Sequence, residues 1–258
     1  MKKILIVLLL PVCCSVKAQH KDSLLSGVFQ WKELTTTEKE HGTYRQLLLG
    51  KTFALESLEI GSTILPEKMK PVTNIPAKNI EHLIIVKEGT VKLVVLGKSK
   101  VIGPGSVALV MPGESLTMEN VGTTASVFYH LKYDGKFPTD TARANIEGGS
   151  IILDWNDLGT INTGKGYRRN FFDRGTSQLR KFEMHTTALN ADSSSHAPHT
   201  HIQEEIVLIL RGNVEMQIGD KTYKAAAGDF YFLSSNIPHA LTNIGKVQCE
   251  YFAFQWRN

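Results

Sequence analysis

The side chains of this chain best suited to chemistry crowd into one decapeptide, His196-Ala-Pro-His199-Thr-His201-Ile-Gln-Glu-Glu205, with a further imidazole downstream at His239. His199, His201, Glu205 and His239 together offer three ring nitrogens and a carboxylate, a borderline donor set suited to one divalent transition ion: Mn, Fe, Ni, Co or Zn. On an octahedral ion, four protein donors leave two adjacent positions for water or a bidentate ligand, the open arrangement that metal-assisted catalysis requires. A closed structural zinc site would draw on thiolates, and past the first eighteen residues the chain has a single cysteine, Cys249. His196 either supports a ligand through a hydrogen bond or sits in a polar loop. No side chain stands out as the catalytic acid or base.

Those donors converge only if rigid elements hold them. In an extended strand alternate side chains share a face, which sets His199, His201 and Glu205 on one side. Ile206-Val-Leu-Ile-Leu210 follows as an unbroken apolar run of strand length, and Arg211-Gly212-Asn213 reads as the turn into a return strand. The strand-like Phe230-Tyr-Phe-Leu233 and the turn-rich segment after it are expected to bring His239 back opposite the first three donors. In the last strand, Tyr251-Phe-Ala-Phe-Gln-Trp256, two alternating sets compete for the pocket. Tyr251, Ala253 and Gln255 are assigned to it, because Phe252, Phe254 and Trp256 make the better core or interface. With Met216 in the strand after Gly212, the candidate substrate-binding residues are Met216, Tyr251, Gln255 and His196.

A second pattern spans the chain. His82, Leu83-Ile-Ile-Val86 and Gly89 match Glu205, Ile206-Val-Leu-Ile209 and Gly212, and Gly105, Leu116 and Asn120 match Gly228, His239 and Asn243, each pair 123 residues apart. Upstream, Tyr44-Arg45 meets Tyr167-Arg168 at 123 and Ser57-Leu-Glu-Ile60 meets Lys181-Phe-Glu-Met184 at 124, which implies one small indel. Short strands between glycine turns, with no helical pattern of useful length, predict an all-β protein of two tandem barrels. By the same offset the counterparts of His199, His201, Glu205 and His239 are Pro76, Lys78, His82 and Leu116. One imidazole cannot hold an ion, and Lys78 would put a positive charge where the cation belongs. The first barrel is therefore expected to be degenerate and metal-free.

The pattern H-x-H-x(3)-E-x(6)-G, followed by G-x(5)-S-x-N-x(2)-H-x(3)-N, resembles the two motifs of the cupin superfamily. His199, His201, Glu205 and Gly212 fill the first, and Gly228, His239 and Asn243 the second, with Ser234 and Asn236 where Pro and Gly are commoner. The resemblance implies two cupin jelly-roll (double-stranded β-helix) barrels, a bicupin, with the metal in the second. Among bicupins the chain looks most like the (S)-ureidoglycine aminohydrolase group. That group carries Glu, His and Gln at the first, third and fourth ligand positions, where this chain has His199, Glu205 and His239. It also has a Lys where Gln255 stands and a Tyr where Met216 stands, so its substrate is not carried over.

Composition narrows the setting. The start, Met1-Lys-Lys-Ile-Leu-Ile through Ala18, has a basic tip, a short apolar run and small residues, which reads as a secretory signal with cleavage at Ala18. Leu10-Pro-Val-Cys13 resembles a lipidation box, against which Val12 is bulky where a small residue is wanted. Lys2, Lys3 and Lys17 account for three units of the formal charge of +4. The rest of the chain is nearly neutral and carries no basic excess for nucleic acid. Cys13 and Cys14 belong to the same segment, so no disulfide is expected within the remainder. The expected organisation is a signal at 1–18, an arm at 19–42 packed on the first barrel, that barrel at 43–135, a linker at 136–160 and a metal-binding barrel at 161–258.

The functional expectation is an exported, periplasmic or secreted bacterial protein with no transmembrane segment in its mature chain. It would act through the metal on a small polar molecule such as a sugar derivative, an oxo acid or a ureido acid, with apolar strand faces suited to a homodimer. A binding protein using the same pocket without catalysis is the alternative, and a storage or structural bicupin is disfavoured by the intact ligands of one copy.

Overall fold

The structure, a computed structural model, describes residues 23–33, 36–39, 42–69 and 71–258. The expected signal and its two cysteines lie outside these residues. Among them the chain is almost wholly β, and no helix is long and apolar enough to cross a membrane.

Each half builds a large sheet facing a small one. In the second half the large sheet runs Phe230–Leu233, Glu204–Arg211, Cys249–Arg257, Lys181–Leu189, Gly166–Arg174, Ile161–Asn162, and the small one Lys221–Ala226, Asn213–Ile218, His239–Asn243. The first half repeats this with Val107–Val110, Glu81–Glu88, Ser126–Gly135, Leu55–Leu65 and Gly42–Gly50 against Val72–Asn74, Leu116–Asn120, Val91–Val95 and Lys98–Ile102.

Burial explains why the run Ile206–Leu210 does not alternate. Val207 and Ile209 point into the second barrel beside Val214, Met216, Tyr251 and Ala253. Ile206 and Leu208 point out into a core shared with Leu83, Ile85 and Tyr129 of the first barrel. A strand buried on both faces has no use for polar positions. The last strand divides the same way: Phe252, Phe254 and Trp256 fill the shared core, so the face read as core or interface is the seam between barrels.

The seam is closed by two matching clasps. Glu204 accepts from Thr52 Oγ1 at 2.6 Å, the Phe53 and Ala54 amides at 2.8 and 3.0 Å, and Trp256 Nε1 at 3.1 Å. In the mirror arrangement Glu81 accepts from the Gln178 amide at 2.8 Å and the Tyr133 hydroxyl at 2.6 Å. Satisfying a buried carboxylate this fully is what makes its burial tolerable.

The arm packs on the first barrel and also reaches the second. Gly27–Phe29 pairs antiparallel with Phe230–Leu233 of the second barrel, its Phe29 ring stacked on Phe230 at 5.0 Å, while the Leu24 amide donates to Lys51 O at 2.7 Å, Trp31 packs on Tyr129 and Thr36–Lys39 pairs with residues 42–45, all in the first barrel. Ile151–Leu153, inside the segment read as a linker, returns the exchange by pairing with Val107–Val110 of the first. The aromatic residues after each strand behave alike: the Arg45 guanidinium lies 4.4 Å from the Trp31 ring and that of Arg169 lies 4.2 Å from Trp155. A short helix, Thr141–Ile146, capped by Asp140, also interrupts that segment.

The strand pairings also correct the alignment of the two copies. Thr63 faces Tyr44 and Thr187 faces Arg168, so Tyr44 corresponds to Arg168 and Arg45 to Arg169, one residue off the sequence register. Leu116 faces Asn74 as His239 faces His199, which makes Asn74 and Pro76, not Pro76 and Lys78, the counterparts of His199 and His201. The loop before the ligand strand differs in length between copies, and a fixed offset cannot see that.

Candidate metal centre

The metal-donor side chains are positioned by a loop and two strands. The segment 196–203 is irregular, and strand structure begins only at Glu204, so the shared-face argument for His199 and His201 does not hold as an account of their convergence. His199 is brought in by pairing directly with His239, through amide-to-carbonyl hydrogen bonds of 3.2 and 3.0 Å. His201 is tied down by its carbonyl, which accepts from the Asn236 amide at 2.8 Å. Asn236 sits at φ +61°, the left-handed conformation that the usual glycine would supply.

The ring nitrogens of His199, His201 and His239 offer ligand atoms all within 4.8 Å of one another. Glu205 Oε2 lies 3.2 Å from His201 Nε2 and 3.3 Å from His239 Nε2. Each of these imidazoles turns its other nitrogen to a backbone carbonyl: His201 Nδ1 to Gln203 O and His239 Nδ1 to Ile237 O, both at 2.9 Å. A carbonyl can only accept, so Nδ1 carries a ring proton, and whenever the ring is neutral Nε2 is left with a lone pair. His239 Nε2 is buried without a hydrogen-bond partner. Burial opposes ionisation of Glu205, but the His201 and His239 contacts outweigh it and hold its pKa at about 2. An ionised Glu205 here needs positive charge at the Nε2 side of His201 and His239, which a ring proton or a metal ion held among the groups supplies. The site fits a metal.

His199, Glu205 and His239 open into a cavity of about 390 Å³. Met216, Tyr251, Gln255 and His196 all line it, as do Ala253 and Val207. Burial and the Glu205 charge keep the Tyr251 phenol protonated. His196 is exposed, and its ring packs edge-on against His199 at 4.0 Å between centroids. Asn243, the last motif residue, does structural work instead: its amide donates to the carbonyls of Leu189, Asn190 and Val247 at 2.9, 3.0 and 2.9 Å. Asn120 does the same in the first barrel, to Leu65, Pro66 and Thr124.

Sequence reasoning missed part of the wall. Lys165, Arg168, His185, Thr187 and Ser195 also face the cavity. The signal was present in the alternation Glu183, His185, Thr187 beside a strand already assigned to the pocket.

In the first barrel the corresponding positions hold no such group among the described residues. His82, counterpart of Glu205, contacts His130 there, Nδ1 to Nε2 at 2.9 Å, and both rings are buried. Burial, foremost, lowers both: His82 to about 4 and His130 well below the usual imidazole range.

The fold and the site define a two-barrel β protein whose second barrel carries a histidine-rich centre able to hold a metal. Residues 186–254 match the family model described as Cupin domain. The second barrel thus carries a cupin domain, and the chain as a whole has the two-barrel bicupin fold. It is 21% identical over 193 residues to (S)-ureidoglycine aminohydrolase of Arabidopsis thaliana, covering 73% of this chain and 62% of the length of that relative. Among solved structures, AerE from Microcystis aeruginosa superposes with a TM-score of 0.65 at 13% identity, covering 87% of this chain and 97% of its own. Oxalate decarboxylase of Bacillus subtilis, a protein described with Mn(II) centres, superposes with a TM-score of 0.67 at 12% identity, covering 91% and 78%. At such identities the likeness is one of fold.

Proposed function

We propose that the chain is a metal-dependent bicupin acting on a small polar metabolite, of the sugar-derivative, oxo-acid or ureido-acid kind, in the cavity of its second barrel. His199, His201, His239 and Glu205 would hold one divalent transition ion. The bound ion supplies carbonyl polarisation or water activation. The chain's own residues bind and orient: Tyr251 and Gln255 offer a phenol and an amide, Met216 an apolar wall, and His196 an imidazole at the rim. The observation that carries the reading is the convergence of His201 Nε2 and His239 Nε2 on the buried Glu205 carboxylate at 3.2 and 3.3 Å, with both Nδ1 atoms committed to backbone carbonyls. The Mn(II) centres of the fold relative are consistent with it. The amino-terminal composition adds export to the proposal, testable by cell fractionation and amino-terminal sequencing.

Elemental analysis of protein purified from its own host is expected to find one equivalent of a transition metal per chain. His201→Ala should lose it, and a full equivalent retained by that variant would show the assignment to be wrong. A non-catalytic binding role is distinguished by turnover: metal-loaded protein that binds small oxo or ureido acids without converting any of them favours it.

A further inference from the structure

We propose that His185 is the proton-transferring residue of the second barrel's cavity, a base that works beside the metal without binding it; this rests on the metal-dependent reading above.

His185 lies on Lys181–Leu189 and shares the cavity with His199, Glu205 and His239. Its Nδ1 is closed off from solvent and faces Glu183 Oε1 at 3.3 Å, an ion-pair distance too poorly aligned for a full hydrogen bond. Glu183 in turn accepts from Arg168 Nη2 at 2.6 Å. The His185 contact first, with Arg168 adding to it, outweighs burial and holds the Glu183 pKa at about 2. An ionised carboxylate beside Nδ1 draws the proton of the neutral ring to that nitrogen and leaves the Nε2 lone pair for the cavity, the logic by which a third group orients a catalytic base.

The first barrel shows what the position looks like without this arrangement. Gly61 faces His130 there, as His185 faces Ala253 in the second barrel. A Cβ at Gly61 would lie 2.2 Å from the Tyr44 hydroxyl, which instead donates to Glu59 at 2.5 Å. So the carboxylate is kept in both barrels, while the free-standing imidazole, and the room opposite it at Ala253, occur only in the barrel that holds the donors. The other charged or titratable groups around the cavity are Arg168, which pairs with Glu183, and Lys165, His196 and Tyr251, besides the donors themselves. None of these has a carboxylate and guanidinium arranged behind it as His185 has.

In the step itself an acidic O–H or C–H bond of the bound molecule breaks. Its proton goes to Nε2, and its electron pair stays on the molecule. The resulting imidazolium faces Glu183, and the same proton returns to the product, so no oxidant or reductant is required.

The test is long-range proton–nitrogen NMR on the zinc-loaded full chain with labelled histidine. His185 is expected as the Nδ1–H tautomer with a bare Nε2, Glu183→Gln is expected to shift most of it to Nε2–H, and His185→Gln is expected to keep one bound zinc. Acetohydroxamic acid, an O–H acid that chelates divalent metals as its anion, serves as the probe. On its binding, His185 should become protonated on both nitrogens in the parent protein and not in Glu183→Gln. A parent Nε2–H tautomer, hydroxamate bound with His185 unchanged, or loss of zinc in His185→Gln would overturn the proposal. Failure of the parent protein to bind zinc would sink the metal reading instead, and the tautomer can still be read without metal.

Discussion

The first barrel buries two imidazoles against each other, and the second spreads three around a carboxylate. His82 and His130 sit at 2.9 Å with burial holding both neutral, whereas Glu205, at the position of His82, stays ionised in an equally buried place because His201 and His239 face it. The scaffolds are otherwise alike, down to the Asn120 and Asn243 amides that pin the same three carbonyls. Duplication therefore kept the parts that close a barrel and let the parts that do chemistry diverge. A side chain that satisfies backbone groups is constrained by the fold, whereas a donor facing a cavity is constrained only by what the cavity must hold.

That contrast can be broken in order of expected effect. Glu204→Ala strands three buried donors in the seam, those of Thr52, Ala54 and Trp256, and the part-buried Phe53 amide, and should cost about 3–5 kcal/mol. Calorimetry should show both barrels weakened, because the clasp joins them. His239→Ala should weaken metal binding by on the order of 100-fold or more, about 3 kcal/mol, as read by competitive chelation, with little change in the first barrel.

Acid should strike the first barrel through its buried histidines. Burial depresses the folded-state pKa of His82 from the usual imidazole value of 6.5 to about 4. The unfolded chain therefore binds more protons across that window, and the stability present above it is lost as pH falls through it. The loss attributable to His82 should be about 3 kcal/mol, and His82→Leu/His130→Phe should flatten the pH dependence of denaturant midpoints between pH 7 and 4. Metal binding should also fade with acid, since the ring nitrogens must be unprotonated to bind. Its loss should follow occupancy by elemental analysis and be absent from the first barrel's response. The smallest effect is expected at Asn236: glycine suits φ +61° without strain but frees the unfolded chain, so Asn236→Gly should shift stability by less than about 1 kcal/mol.

Much of this was legible beforehand. The repeat, the all-β class and the facing of His239 by His199 follow from motif spacing and from apolar runs of strand length. The cavity-facing set Tyr251, Ala253, Gln255 followed from period-two alternation, which holds wherever a strand is regular. The convergence of His199 and His201 was expected on a strand and is achieved by a loop, where no fixed period applies. The register between copies failed at Tyr44 and at Pro76 for a related reason: insertions in loops change offsets without disturbing the strands on either side.

What the amino-acid order determined by itself was local: which residues carry donors, which runs form strands, and that one copy retains the ligand types the other lacks. The tertiary structure alone decided the exchange of Gly27–Phe29 and Ile151–Leu153 between barrels, the carboxylate clasps across the seam, and the placing of His185 with Glu183 and Arg168 beside the donors. Those are contacts between segments far apart in the chain, set by which surfaces bury each other best, and no local pattern encodes the choice of partner.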